Sequence, residues 1–395
     1  MDKKKESVIQ EIQSHRDDLL RMADFICDNP EIGLREHQAS ALLTEHLRKN
    51  GFSVELGIAG LDTAFRCVYE NGSGGRSIGL LCEYDALEGI GHGCGHHIQG
   101  PSILGAAVAL KKCIPEDIPY KLVVYGTPAE ETVGGKITMV EQGYFRDIDV
   151  AFMMHASGSG TSVDRRMMAM TGMEVAYTGK SAHAAICPEE GRSALDALIL
   201  AFHGIECLRE HVPDDVRMHY AITDGGLPAN VIHARASASI IARAFTTEVL
   251  QSVTERIRKI LDGAALMTET SYSIVETKTL NNSIPVPMLN ELLMNNAEKV
   301  NAPRISPPRE KTGSSDFGNV CYIVPGACIR ISTEGDTLAA SHSREAALQG
   351  KSKENHDAVI YAAQIIALTV LDLLADEEVF AGIIESFREN KAQFS

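Results

Sequence analysis

The chain has 395 residues, 44% hydrophobic and 23% charged, a composition typical of a globular protein with more than one domain. Its 37 basic and 53 acidic side chains give a net charge of -16, which disfavours nucleic acids and anionic membranes as partners. Nine scattered cysteines, no secretory signal and no run of about 18 uncharged apolar residues predict a cytoplasmic protein without a membrane span.

The first part of the chain alternates between helical and strand patterns. Apolar residues recur at helical spacing in some segments, and short apolar or β-branched runs separate them. We predict, in chain order, helix Glu6–Asn29, helix Glu36–Asn50, strand Phe52–Glu55, strand Thr63–Tyr69, strand Ser77–Cys82, helix Ile103–Leu110, strand Tyr120–Tyr125, helix Lys136–Gln142 and strand Ile148–Met154. This alternation predicts an α/β domain.

Potential ligands follow three of these strands. The strands that begin at Ser77, Tyr120 and Ile148 are followed by Glu83, Asp85, His92, Cys94, His96 and His97, by Glu130 and Glu131, and by His155, respectively. Open α/β sheets present their chemistry at the carboxyl ends of strands. A cysteine and a histidine one residue apart suit zinc or another late first-row divalent ion, although such residues also occur simply as packing or surface residues.

The pattern changes near Thr171. We predict strand Gly172–Thr178, helix Arg192–Arg209, strands Met218–Thr223 and Ala229–Ala242, helix Thr247–Leu261 and strand Glu269–Glu276. This β-α-β-β-α-β order indicates a ferredoxin-like domain that is inserted into the first one.

The α/β pattern resumes near Pro287. We predict helix Leu289–Val300, loop Lys311–Gly318, strands Val320–Val324 and Ala327–Ile331, and a long helix His356–Leu374 after a loop that contains His342. The predicted domains are therefore a catalytic domain formed by residues 1–168 and 282–395 and an inserted domain formed by residues 169–281.

Seven motifs occur in the same order as in one known family. They are Asn29-Pro-Glu-Ile-Gly33, Glu83-Tyr-Asp-Ala-Leu87, Gly89-Ile-Gly-His-Gly-Cys-Gly-His96, Pro128-Ala-Glu-Glu131, Gly179-Lys-Ser-Ala-His183, Gly191-Arg-Ser-Ala-Leu-Asp-Ala197 and Gly313-Ser-Ser-Asp-Phe-Gly318. Together they resemble the metallo-aminoacylase and carboxypeptidase family of zinc peptidases. Within it they are most similar to the amidohydrolase branch, which includes hippurate, auxin-conjugate and aminobenzoyl-glutamate hydrolases. The histidine-rich motif is also similar to a subgroup of β-alanyl and aminoacyl-lysine dipeptidases.

The resemblance implies a fold and a metal site. The fold would be a catalytic α/β domain, with a mixed sheet flanked by helices, and an inserted ferredoxin-like lid or dimerisation domain. Two divalent ions, zinc or manganese first and cobalt or nickel as alternatives, would be held by five ligands: Cys94, His96, Glu131, His155 and His342. Glu130 would be the general base, since one of two adjacent carboxylates must stay free to take a proton from water. An acidic pair in solvent is the alternative interpretation of these two residues.

Other residues are assigned by the same resemblance. His183 would reach the active site of a partner subunit and stabilise the oxyanion, with an ordinary surface histidine as the alternative. Asn230 and Arg243 would bind the carboxylate or carbonyl of the substrate. His97 stands where relatives usually carry Asp or Asn, so it would tune the choice of metal, act as an extra ligand or face solvent. Asp85 carries no assigned role.

These observations predict a binuclear metal-dependent amidohydrolase that acts as a cytoplasmic homodimer through its lid. Its substrate would be a small N-acyl amino acid or dipeptide-like amide with a free carboxylate. The alternatives are a dipeptidase or aminopeptidase of the same family, or a catalytically silent relative that only binds metal.

Overall fold

The structure is a computed structural model that describes residues 3–226, 228–310, 312–333, 335 and 339–394. The chain separates into two units, one formed by residues 3–166 and 283–393 and the other by residues 167–282 with Phe394. The predicted domain limits at 168/169 and 281/282 remain a prediction, because contacts within a unit do not test whether it folds independently. Lys311, in one predicted loop, lies outside the described residues.

The structure contains twelve α-helices and thirteen strands within the described part of the chain. The helices are α1 (Lys3–Ser14), α2 (Arg16–Asp28), α3 (His37–Lys49), α4 (Gln99–Cys113), α5 (Gly135–Glu141), α6 (Ala194–Leu208), α7 (Thr247–Thr268), α8 (Pro287–Lys299), α9 (Phe317–Cys321), α10 (Arg344–Leu348), α11 (Lys353–Ala375) and α12 (Glu377–Phe394). The strands are β1 (Ser53–Leu56), β2 (Phe65–Asn71), β3 (Arg76–Cys82), β4 (Tyr120–Gly126), β5 (Val150–Ser157), β6 (Ser162–Val163), β7 (Ala169–Thr178), β8 (Ala182–His183), β9 (Arg217–Asp224), β10 (Val231–Ile232), β11 (Arg235–Ala244), β12 (Ser271–Leu280) and β13 (Gly326–Ser332).

The first unit is built on a seven-stranded mixed sheet with the order β1-β2-β4-β3-β5-β13-β6. Its four central strands, β4, β3, β5 and β13, run parallel, and the outer pairs are antiparallel. The central strands are apolar along nearly their whole length because helices cover both faces of such a sheet. Parallel strands end at the same edge of the sheet, so the loops that follow them are brought together.

Helix α4 lies in the middle of the helical layer and is almost entirely buried. At Gly105 an added Cβ would lie 2.8 Å from Cδ1 of Leu19 in α2 and 3.3 Å from Cβ of Ala363 in α11. Three helices therefore approach each other at a position where only glycine fits without movement of its neighbours. This close packing fixes the start of α4, which follows the ligand-rich loop predicted from the sequence.

Helix α11 is long and apolar enough to span a membrane by length and composition alone, which the sequence analysis did not expect. In the structure, however, 72% of its most apolar window is buried inside the protein, where it packs against α4 and β13. Its hydropathy is therefore explained by its place in the core of the first unit.

The second unit has a four-stranded antiparallel sheet with the order β12-β7-β11-β9 and a separate β10-β8 pair. Helices α6 and α7 pack on the four-stranded sheet. Each begins with a capping side chain, Ser193 or Thr246, which accepts a hydrogen bond from the backbone of the first turn. The β-α-β-β-α-β order and this strand arrangement make the second unit ferredoxin-like, as predicted.

Some predicted elements were wrong. Val320–Val324 was predicted as a strand, but helix α9 covers Phe317–Cys321, because periodicity does not separate a short buried helix from a buried strand. The predicted first helix is two helices, separated at His15, and the predicted strand Ala229–Ala242 is divided into β10 and β11. Helix α12 was not predicted.

Candidate metal centre

The predicted ligands lie around the carboxyl ends of the parallel strands in the first unit. Cys94 and His96 lie in the loop between β3 and α4, and Glu131 follows β4. His155 lies within β5, whose last residue is Ser157, rather than after the strand as expected. His342 follows β13 from much farther along the chain, and its backbone bonds to Gly93 O at 3.0 Å.

The ligand loop turns sharply between Cys94 and His96. Gly95 has a φ of 81°, in the left-handed region, and an added Cβ would lie 2.5 Å from Cβ of Ala156. Glycine is therefore required both by the backbone conformation and by the close approach of β5. This turn directs Cys94 and His96, which flank the glycine, toward the same region.

The five predicted ligands form two groups that share Cys94. Cys94, His96 and His155 form one group, and Cys94, Glu131 and His342 form the other, with the ligand atoms of each group within 4.8 Å of one another. Cys94 Sγ lies 3.6 Å from Nε2 of His155. Glu131 Oε1 lies 3.3 Å from Nε2 of His342 and 4.0 Å from Nε2 of His96.

Two atoms in these groups are buried without a hydrogen-bond partner: Nε2 of His96 and Oε1 of Glu131. His96 Nε2 lies 3.2 Å from Glu83 Oε2, but the two make no hydrogen bond. Buried polar atoms normally find partners, so unsatisfied ligand atoms that converge on one region fit metal coordination. Thiolate, imidazole and carboxylate together suit late first-row divalent ions.

Asp85 orients two of the ligands. Its Oδ1 lies 3.0 Å from Nδ1 of His96, and its Oδ2 accepts a hydrogen bond of 2.9 Å from the backbone N–H of Glu131. A carboxylate on one ring nitrogen fixes the histidine tautomer and leaves the other nitrogen to coordinate an ion. The Nδ1 of His155 is likewise held, by Ala156 O at 2.7 Å.

The charge balance of the protein groups differs from ligand to ligand. Burial raises the pKa of the Cys94 thiol to about 11. Burial and then the positive charge of Arg330 lower the pKa of His155 to about 3. Burial also opposes protonation of His96, but the negative charges of Cys94, Glu83 and Asp85 outweigh it and raise the pKa of His96. Metal binding to this site would therefore release protons from Cys94 and His96.

Glu130 lies between the ligand groups and a buried ionic cluster. Its carboxylate is within 4.8 Å of ligand atoms of His96 and Glu131 and, on another side, of Glu83 and Asp316. The preceding residue, Ala129, has a φ of 62°, and its N–H donates to Oε1 of the buried Glu36 at 2.8 Å. Glu36 thus holds a strained backbone residue that sets the direction of Glu130.

The buried ionic cluster is centred on Lys136, which has no solvent exposure. Its Nζ lies 2.6 Å from Glu83 Oε1 and 2.6 Å from Asp316 Oδ1. Burial opposes the charge of Lys136, but Asp316 and Glu83 outweigh it and raise the pKa of the lysine. Burial also opposes the charge of Glu83, and Lys136 outweighs it and lowers the pKa of Glu83.

Sequence analysis missed the roles of Lys136, Asp316 and Glu36 in supporting the site. The available signals were a lysine at the start of a short helix and an aspartate inside the Gly313–Gly318 motif. Neither signal specifies a partner 180 residues away, as the Lys136–Asp316 pair requires.

His97 is not a surface residue, so that interpretation was wrong. It is buried, its Nε2 lies 2.8 Å from Gly350 O, and its ring centroid is 5.3 Å from that of His92. Burial lowers the pKa of His97 to about 4. None of the ligand groups found among the described residues includes His97, and an influence on the choice of metal remains a prediction.

The three remaining predicted residues belong to the second unit. His183 is exposed at the end of β8, where it pairs with Val231. Asn230 is exposed, and its carbonyl accepts a hydrogen bond of 3.0 Å from the N–H of Ala184. Arg243 is half-buried in β11, and burial lowers its pKa. Their roles toward the substrate remain predictions.

The ligand groups, the orienting carboxylate and the adjacent free glutamate define a metal-dependent hydrolase. The profile of Peptidase family M20/M25/M40 matches residues 79–367 of the chain. The Xaa-Arg dipeptidase of Homo sapiens is 33% identical over 385 residues, which cover 92% of this chain and 87% of that protein. One of the two subunits of the p-aminobenzoyl-glutamate hydrolase of Escherichia coli is 35% identical over 293 residues, or 69% of this chain and 60% of that relative.

A solved structure shares the fold. The aminobenzoyl-glutamate utilization protein of Klebsiella pneumoniae superposes with a TM-score of 0.73 at 19% identity and covers 93% of this chain and 98% of its own. The chain therefore belongs to Peptidase family M20/M25/M40, and it is an enzyme of the metallo-amidohydrolase and peptidase class. The resemblance stated from the sequence motifs is confirmed.

Replacing Lys136 by methionine is expected to destabilise the protein by about 3–5 kcal/mol, because Glu83 and Asp316 would remain buried without a counter-charge. Lys112→Met is the matched control, since the ion pair of Lys112 with Glu11 is at the surface and contributes less than about 1 kcal/mol. Denaturant unfolding of the metal-free variants measures both changes. Equal shifts for the two variants would contradict a stabilising role of the buried cluster.

Proposed function

We propose that the enzyme hydrolyses the amide bond of small N-acyl amino acids or dipeptide-like substrates that carry a free carboxylate. The observation that carries this proposal is the pair of ligand groups that share Cys94, with Glu130 beside them. The names of the relatives, which include a dipeptidase and an aminobenzoyl-glutamate hydrolase, support an acylated or aminoacylated amino acid as substrate.

Two divalent ions, zinc or manganese, are the proposed cofactors, one in each of the two groups that share Cys94. The ligand chemistry supports them but does not distinguish them from cobalt or nickel, since availability often decides which ion such a site holds. Bound ions of this kind supply Lewis acidity, which makes a water molecule more acidic and polarises a carbonyl group. The cytoplasmic location is proposed with them, and the nine free cysteines support a reducing compartment.

The two adjacent glutamates divide the work in this proposal. Glu131 acts as a ligand, because its Oε1 is directed toward His96 and His342. Glu130 takes a proton from the attacking water and later gives it to the leaving nitrogen, so that the carboxylate is regenerated. Glu36 and Asp85 assist by holding the backbone on either side of Glu130, at Ala129 and Glu131.

A homodimer is proposed through the second unit. Strand β9 is an edge of the four-stranded sheet, and edge strands offer unpaired backbone groups to another chain. Helix α6 lies beside β9, since the Phe202 and Tyr220 rings stack with centroids 4.0 Å apart. Ile222 on β9 and Ile199 on α6 are 50% and 42% exposed, which supports burial by a second copy. In this dimer His183 would serve the active site of the neighbouring subunit.

Turnover of a small panel tests the proposed reaction. The panel is hippurate, aminobenzoyl-glutamate, an auxin-type conjugate, β-alanyl-lysine and several N-acetyl amino acids. We expect hydrolysis of at least one member, its loss after treatment with a chelator and its return with zinc, manganese or cobalt. Absence of turnover with about two ions bound per chain would favour a catalytically silent relative.

Glu130→Gln is expected to lower kcat by about 10²- to 10⁴-fold, since the amide cannot accept the proton of the attacking water. The number of ions bound should not change, because the five proposed ligands are intact. Glu116→Gln, in an exposed loop of the same unit, is the control and should leave kcat unchanged. Elemental analysis and initial rates measure the two quantities, and full activity of the Glu130 variant would refute the mechanism.

Ile222→Lys is expected to convert the dimer to monomers, because a charged side chain would be buried at the β9 edge. Val275→Lys is the matched control on the opposite edge strand β12, where Val275 is 62% exposed. Sedimentation velocity measures the mass of each variant. We further expect the monomer to lose turnover and keep its metal, whereas a fully active monomer would exclude His183 from the partner's site.

A further inference from the structure

Two arginines meet on one carboxylate at the edge of the first unit's sheet. Arg330 Nε donates a hydrogen bond of 2.8 Å to Oδ2 of Asp164, and Arg309 Nε lies 2.9 Å from Oδ1 of the same residue. The two arginines and the aspartate, called here the arginine pair and its anchor, carry an excess positive charge in a chain with a net charge of -16.

The arginine pair lies next to the metal centre. Arg330 is the register partner of the proposed ligand His155 on the adjacent parallel strand, and Ser162 flanks it on the other side. Register partners point to the same face of a sheet and are separated by about 5 Å. The guanidinium of Arg330 is therefore close enough for its charge to act on His155 and Cys94.

The guanidinium groups have donors to spare. Each carries several N–H groups, yet within the described residues only the Nε–H of Arg330 donates a hydrogen bond to a protein oxygen. The side chains of Arg330 and Arg309 are 15% and 29% exposed, and that of Asp164 is 4% exposed. A partly buried cation with unused donors gains free energy when an anion reaches it.

The backbone holds the pair in place before any ligand arrives. Arg309 N–H donates to Val163 O at 2.8 Å, and Arg165 N–H donates to Arg309 O at 3.2 Å. These bonds align residues 163–165 with Arg309, and β13 carries Arg330. A preorganised pair loses little side-chain entropy on binding a carboxylate, which is an advantage in recognition.

We propose that Arg309 and Arg330 form an anion subsite for a carboxylate side chain of the substrate, so that the preferred substrates are N-acyl or aminoacyl derivatives of glutamate or aspartate. This inference rests on the proposed function and adds the class of amino acid released. The planar guanidinium matches a carboxylate through two parallel hydrogen bonds. A purely structural role, in which the pair only joins neighbouring segments, would not distinguish acidic from neutral ligands.

Equilibrium binding tests the subsite separately from catalysis. The protein is the metal-loaded full chain with Glu130→Gln, and the probes are N-acetyl-glutamate and N-acetyl-glutamine, measured by calorimetry. We expect about tenfold or tighter binding of the glutamate compound, because the two probes differ only at the side-chain carboxylate. Arg309→Gln should abolish this preference, and Arg309→Lys, which keeps the charge, should retain part of it.

Arg165→Gln is the matched control, since Arg165 is a more exposed arginine of the same region, is paired with Glu310 and should leave the preference unchanged. Absence of a preference, or an equal loss of affinity for both probes in Arg309→Gln, would overturn the subsite. Turnover by the parent enzyme is measured in parallel. A preference without turnover would support the subsite and contradict the proposed function, whereas equal turnover of both probes would do the reverse.

Discussion

The buried ion pairs of Lys136 hold together the two parts of the chain that build the first unit. Glu83 comes from the part that precedes the second unit and Asp316 from the part that follows it, and Lys136 lies 2.6 Å from both carboxylates. Without this cation, Glu83, Asp316 and Glu130 would form a buried group of like charges within 4.8 Å of one another. The carboxylates near the metal centre are thus compatible only because one lysine is buried among them.

Local strain is concentrated at the residues that direct the reacting groups. Ala129 and His342 have φ values of 62° and 65°, which non-glycine residues rarely adopt. Such conformations cost on the order of 1–3 kcal/mol each and persist where neighbouring contacts enforce them. Glu36 supplies that contact at Ala129, and Gly93 supplies it at His342. The strained backbone and its supports set the directions of Glu130 and of the last proposed ligand.

Charge of both signs surrounds the site although the chain as a whole is acidic. Carboxylates and imidazoles converge where divalent ions would bind, and the arginine pair lies beside His155 on the neighbouring strand. An amide substrate with acidic groups would therefore meet cations at its scissile bond and at its side chain. This arrangement would favour anionic substrates through local charge rather than through the net charge of the protein.

The sequence by itself determined the types and approximate positions of most elements, the family and the residues that converge at the metal centre, because hydrophobic periodicity and short motifs are local properties. The α9 segment was predicted wrongly, since Val320 and its neighbours suit a buried helix as well as a strand. Only the tertiary structure decided which distant groups meet: Lys136 with Asp316, Glu36 with Ala129, and Arg330 with Asp164. These contacts depend on how strands and loops pack, and no local pattern of residues specifies the partner of a buried charge.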